Sequence, residues 1–245
     1  MSTTHRRHFT ILVVLFGALW LALAIKPNDR KDWLLENVLV FAAVGLFFAS
    51  RRHFVFSRLS YTLIFVFLCL HVVGAHYTYA EVPYDNWFRS LTGHSFNEVV
   101  GWKRNNFDRV VHFLYGLLLA YPIREVFLRV VNVRGFWGYF LPLDFTMSTS
   151  MLYELIEWGV AVTFGGGLGV AYLSAQGDVW DSQEDMAMAS LGAVISMTVT
   201  ALINARLQRD FAREWADSFR VKQPEPLGEE ALARMMNERK PREGR

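Results

Sequence analysis

The sequence predicts an all-α membrane protein: a six-helix transmembrane bundle followed by a cytoplasmic amphipathic C-terminal helix. Three observations carry this. Hydrophobic residues make up 53% of the 245 and charged residues 20%, with a mean hydropathy of +0.20; an ordinary soluble domain carries about 25% charge. The charges are also uneven, because 18 of the 48 fall in residues 204–245. Between them lie apolar stretches near the roughly 20 residues that cross a bilayer core as helix. Disorder, a disulfide scaffold and a nucleic-acid-binding domain are excluded, and a net charge of +2 argues for no polyanionic partner. The single cysteine, Cys69, sits in an apolar run and leaves the redox compartment unread.

The predicted spans cover about 9–25, 36–50, 59–76, 108–131, 136–163 and 186–203, so that 1–205 forms a transmembrane domain and 206–245 a charged cytoplasmic tail. Arg6, Arg7 and Ala22-Leu23-Ala24 give the first span the outline of a signal peptide. Its charge-free run of 17 residues exceeds the 7–15 of such a segment, which favours a retained anchor. The second is short, with Glu36 and Asn37 read as its flank. The fourth carries Pro122 and Arg124, and the fifth Asp144, Glu154 and Glu157. With the N-terminus inside, 18 Lys/Arg fall on inner segments and 7 on outer ones, and the tail decides the balance. Both termini are therefore expected in the cytoplasm of a bacterial inner membrane.

In the tail, Leu207, Phe211, Trp215 and Phe219 recur every fourth residue. Such a stripe suits either anionic headgroups or packing on the protein itself or on another subunit. The run Gly165-Gly166-Gly167-Leu168-Gly169 reads as a flexible outer loop, since no Lys-Ser/Thr follows to make it a phosphate cradle.

Ionisable groups inside spans are costly and mark function by default. Followed through this topology, they gather at one depth. His71 and His76 fall towards the outer end of span three, and Asp108 and His112 open span four. Glu154 lies 18 residues into span five, with Glu157 beside it, and Asp178, Asp181 and Asp185 lead into span six. Asp108/His112 and Asp181/Asp185 are i, i+4 pairs and Glu154/Glu157 an i, i+3 pair, so each shares a helical face. No basic residue lies in 176–181, so these acids need protons, Arg109 or a cation. A divalent metal ion held by Asp108, His112, Glu154 and Asp185 would settle the charge and activate water, with Glu157 and Asp181 as catalytic candidates. His71, His76 and Asp178 are further candidates. Each has a plainer reading: Asp108 as an N-cap, Asp181 and Asp185 as dipole partners, His71 and His76 as satisfied interior imidazoles. Glu154 and Glu157 end no helix and are hardest to explain away. Asp144 lies apart and would pair with Arg134 or cap a break at Pro142. The segment 77–107, rich in Tyr and Trp, is a candidate lid or interfacial helix.

The motifs His71-Val-Val-Gly-Ala-His76, Asn106-Phe-Asp108-Arg109-Val-Val-His112, Tyr153-Glu154-Leu-Ile-Glu157-Trp158 and Gln176-Gly-Asp178-Val-Trp180-Asp181 with Asp185 resemble the YjdF-like bacterial inner-membrane proteins across about 10–205. The resemblance implies a multi-pass inner-membrane protein and no particular activity. A looser similarity is to VanZ-like membrane proteins, in which an Asp-x-x-x-His, a glutamate and an Asp before a small-residue helix recur. Asp108/His112, Glu154 and Asp185 with Ala189-Ser190-Leu191-Gly192-Ala193 occupy those places, whereas Glu157 departs from the Gln often found there. That similarity points to the cell envelope.

Three functions stay open at this stage. One is a metal-assisted hydrolase or transferase acting on a lipid or envelope precursor. Another is a small transporter or ion pathway. The third is a non-catalytic envelope lipid-binding protein. Membrane lipids are the expected partners, and oligomeric state is beyond the sequence.

Overall fold

The computed structural model describes residues 3–164, 176–222 and 228–238, all helix, turn or loop with no strand. The run Gly165–Gly169 lies outside the described residues. The helices are α1 (Thr3–Leu23), α2 (Arg30–Ser50), α3 (Arg58–Tyr77), α4 (Tyr84–Thr92), α5 (Phe96–Val100), α6 (Phe107–Val126), α7 (Trp137–Phe164), α8 (Asp181–Leu207), α9 (Phe211–Asp217) and α10 (Glu229–Glu238). A 3₁₀ turn, Tyr79–Glu81, follows α3, and a π turn, Phe127–Val131, prolongs α6.

Five helices are long and apolar enough to cross a membrane: α1, α2, α3, α6 with its π turn, and α8. They expose large apolar side chains such as Val14, Leu46, Phe48 and Leu202, the distribution expected when the solvent is lipid. The 28-residue α7 has the length but, carrying Asp144, Glu154 and Glu157, is not among these five.

α2 starts six residues before its predicted bound. Asp29 caps it by accepting from the N–H groups of Lys31 and Asp32, so Asp32, Glu36 and Asn37 belong to the helix and are buried. These two backbone donors hold the Asp29 carboxyl below its ordinary value. Pro142 breaks nothing: α7 runs straight through it, and Asp144 is exposed rather than acting as a cap.

α6 is the hub, packed on by α3, α7 and α8, while α1 and α2 lie against α3. One end of this bundle gathers the α1–α2 loop, the end of α3, and the starts of α6 and α8. Asn28 N–H donates to the His76 carbonyl there. Residues 79–106 cap the same end. Tyr79 and Val82 are buried with Phe107 and Val111, and the Tyr84 hydroxyl joins Asn97 to the Asn106 N–H.

At the opposite end the tail does not continue α8. The chain turns at Gln208–Asp210, and α9 brings Phe211 and Trp215 onto Tyr139 while Phe219 meets Phe136. Of the readings of the stripe, packing on the protein itself is the one seen for these three aromatics.

Candidate functional site

The site is assembled at the capped end from α2, α6, α7 and α8. α6 opens after Asn106, so Asp108 is a first-turn residue rather than the N-cap, with His112 one turn on. Near its other end α7 presents Glu154 and Glu157 on one face, and α8 starts with Asp181 and Asp185. A ligand atom from each of Asp108, His112 and Asp185 lies within 4.8 Å of the others. Glu154 Oε1 is 3.2 Å from His112 Nε2, while its carboxyl is also met by the Ser182 hydroxyl. Glu157 is buried within electrostatic reach of Asp108, Glu154, Glu36 and Asp185.

Two arginines border this group. Arg104, in the connector before α6, pairs with Asp178 at 3.1 Å and with Asp181. Arg109 lies 3.3 Å from both Asp178 and Asp181, and it also pairs with Glu184. Asp181 is therefore enclosed by two guanidinium groups. Asp178, with the Trp180 backbone N–H as its foremost donor and the arginines behind it, is held below the ordinary carboxylate value.

Asp185 Oδ1 stands 3.8 Å from Arg109 Nε, at the edge of ion-pair range. Among the described residues no Lys or Arg forms an ion pair with Asp32, Glu36, Asp108, Glu154 or Glu157. Buried oxygens Oδ1 of Asp32, Oε1 of Glu154 and Oδ1 of Asp185 receive no hydrogen bond. An uncompensated buried charge costs several kcal/mol. Such carboxyls therefore either keep their protons or share a cation.

The sequence candidates separate into two groups. Asp108, His112, Glu154, Glu157, Asp181 and Asp185 come together, with Asp178 at the rim. His71 lies beyond a cavity of about 180 Å³ whose walls also include His112. Both its ring nitrogens are engaged, by the Tyr79 hydroxyl and the Glu36 carbonyl. His76 bonds the Leu23 carbonyl and ties α3 to α1. Both histidines fit the plainer reading.

Three residues of this environment escaped the sequence reading. Glu36 accepts from the Tyr153 hydroxyl at 3.3 Å, Asp32 lies one turn before it, and Arg104 holds the α8 acids. The i, i+4 spacing of Asp32 and Glu36 was the available signal. A span that begins only at residue 36 leaves Asp32 outside the helix and hides the pair.

The family described as "Predicted membrane protein (DUF2238)" matches residues 8–206. The inner membrane protein YjdF of Escherichia coli (strain K12) is 37% identical over 188 residues, which cover 76% of this chain and 86% of that protein. No solved structure matches. With several helices apolar enough to span, these matches make this a multi-pass inner-membrane protein. The chain belongs to the DUF2238 family of predicted membrane proteins.

Proposed function

We propose that the protein is a metal-assisted hydrolase or transferase acting on a membrane lipid or envelope precursor at the outer leaflet. The observation that carries this is the approach of Asp108, His112 and Asp185 to within 4.8 Å. Two ligands about 2.1 Å from one ion stand at most about 4.2 Å apart, so side-chain rotations of a few tenths of an ångström complete the set. Glu154, with an oxygen facing His112, is the fourth ligand. Mixed imidazole and carboxylate donors suit Zn²⁺, Mn²⁺ or Fe²⁺. The ion would lower the pKa of bound water, Glu157 would take its proton, and Asp181 would hold Arg109 and Arg104 in place. An ion pathway is less well supported, because the cavity beside the cluster adds no further carboxyl among the described residues.

The topology follows the same proposal. Counting α7 as the sixth span, at 28 residues about 42 Å long, returns both termini to the cytoplasm, in keeping with the Lys/Arg balance and a cytoplasmic tail from 206.

Metal analysis of the full chain purified without chelator tests the reading. One divalent ion per chain, lost in Asp108→Asn and Asp185→Asn, supports it. Absence of metal after Zn²⁺, Mn²⁺ and Fe²⁺ are each offered overturns it. Reporter fusions after residues 56, 134 and 222 test the topology, since all three are expected inside.

A further inference from the structure

We propose that the cavity beside His112 is a binding site for one hydrocarbon chain of an amphiphile. Resting on the proposed cation site, this makes the substrate a lipid whose polar end lies at Asp108–His112–Asp185 and whose tail is held within the bundle.

The cavity adjoins the cluster through His112 and Tyr153. Leu39, Phe67 and Val111 supply apolar wall, His71 and Tyr79 close one side, and Tyr115, bonded through its hydroxyl to Thr149, stands with Ser150 deeper in the bundle. On α6, Val111 and Tyr115 flank His112, and Tyr115 lies one turn further from the helix start than Val111. On α7, Ser150 is four residues, about 6 Å, before Glu154. The cavity therefore extends along the helix axes from the cluster towards the bundle interior, past Phe67 and Leu39. An amphiphile anchored by its headgroup at the cluster lies along the same line.

Packing leaves the room. α6 is close to both α3 and α7, whereas α7 has no comparably close packing with α2 or α3 among the described residues, which leaves a cleft beside α6. The Tyr153–Glu36 hydrogen bond bridges α7 to α2 over its cluster end. An apolar space of about 180 Å³ stays dry if nothing enters, and an empty void destabilises in proportion to its volume. In a bilayer the nearest filler is an acyl chain.

A second observation is independent of the apolar wall. Ser150 Oγ lines the cavity, and the residue is 1% exposed, yet the hydroxyl has no hydrogen-bond partner. A buried hydroxyl without an acceptor is costly. It stands where the first carbonyl below a headgroup at the cluster would come, so an ester- or amide-linked chain satisfies it and a bare hydrocarbon does not.

The test uses the full chain in bilayers containing a phospholipid with a diazirine along one acyl chain, followed by light and mass-spectrometric mapping. Phe67 and Val111 are 6% and 5% exposed, so a chain reaches them only from inside the cavity. Adducts at these two residues, lost in Val111→Trp while adducts at lipid-facing Leu46 and Phe48 persist, support the proposal. Adducts confined to Leu46, Phe48 and other lipid-facing residues overturn it, as does survival of the Phe67 adduct in the filled variant. Leu39→Trp fills the cavity from α2 and gives the same readout should Val111→Trp not fold. Metal content of the same samples separates the two readings. Inner adducts without metal leave the chain site standing and remove the cation, whereas metal without inner adducts removes the chain site alone.

Discussion

Gly192 of α8 seats directly on the backbone of α6 at Gly116. A Cβ on Gly116 would overlap the Ala189 carbonyl oxygen, and one on Gly192 would overlap the Phe113 carbonyl oxygen and stand 3.2 Å from the Gly116 carbonyl carbon. Small residues let helix backbones approach closely in lipid, where no hydrophobic force draws helices together. This crossing sets the cluster, because His112 is four residues before Gly116 and Asp185 seven before Gly192. Gly192→Leu is therefore expected to cost about 1–3 kcal/mol through overpacking and to weaken metal retention by parting Asp185 from His112. Gly17→Leu, where nothing stands within 4 Å, should do neither. Thermal unfolding in detergent and metal content measure both effects.

Metal retention should also discriminate among the histidines and acids. Replacing Asp185 or Asp108 by Asn keeps the shape and removes an anionic ligand, and loss of such a ligand should lower affinity by at least the 10- to 100-fold typical of its supporting partners. His76→Ala, which removes a tie between α3 and α1, should leave metal affinity unchanged while lowering stability. Competition with a metal-binding dye gives the affinities. Equal losses in all three variants would mean that stability, not ligation, governs the signal.

The rim at Asp178 should respond to acid. Asp178 is held below its ordinary 3.8 by the Trp180 N–H first and by Arg109 and Arg104 after it. A group depressed on folding contributes stability above its unfolded value and loses it as the pH falls through the folded one. The rim formed by Asp178, Arg104 and Arg109 should thus stay closed at pH 5 and above and loosen below about 4. Protection of the Trp180 amide, measured against its intrinsic exchange rate at each pH, should fall over that window. In Asp178→Asn protection should be lower at neutral pH and lack the acid step.

The residues themselves made much of this legible. Runs such as Phe9–Ile25 and Ala187–Ile203 report the bilayer directly, since charge-free helix of that length has no other solvent. The i, i+4 and i, i+3 pairs report a shared face, and the structure brings Asp108, His112, Glu154, Glu157 and Asp185 together. Three features escaped because they depend on pairing between distant segments. Arg104 reaches Asp178 and Asp181 across more than 70 residues, and Glu36 meets Tyr153 across 117. The tail turn at Gln208 follows from the packing of Trp215 on Tyr139, which no local periodicity encodes.

That last contact carries its own prediction. Trp215 has ring centroids 5.6 Å from Tyr139 and 5.6 Å from Phe136, and Ser218 receives the Trp137 indole N–H through its carbonyl at 2.9 Å. Tyr139 is held in turn by the Asn204 amide at 2.7 Å and by Arg124 over its ring at 4.4 Å. α9 is thus a brace between the start of α7 and the end of α8, not a free amphipathic strip. Truncating a fully buried Trp costs about 3–5 kcal/mol, and Trp215 is only half-buried, so Trp215→Ala should cost about 2. For a chain of this size that lowers Tm by about 4–8 °C. If the stripe lay on headgroups instead, the same variant would leave Tm in neutral detergent unchanged and weaken attachment of the tail to anionic vesicles. A fall in Tm with unaltered vesicle binding is the expected outcome, and the reverse pattern would detach α9 from the fold.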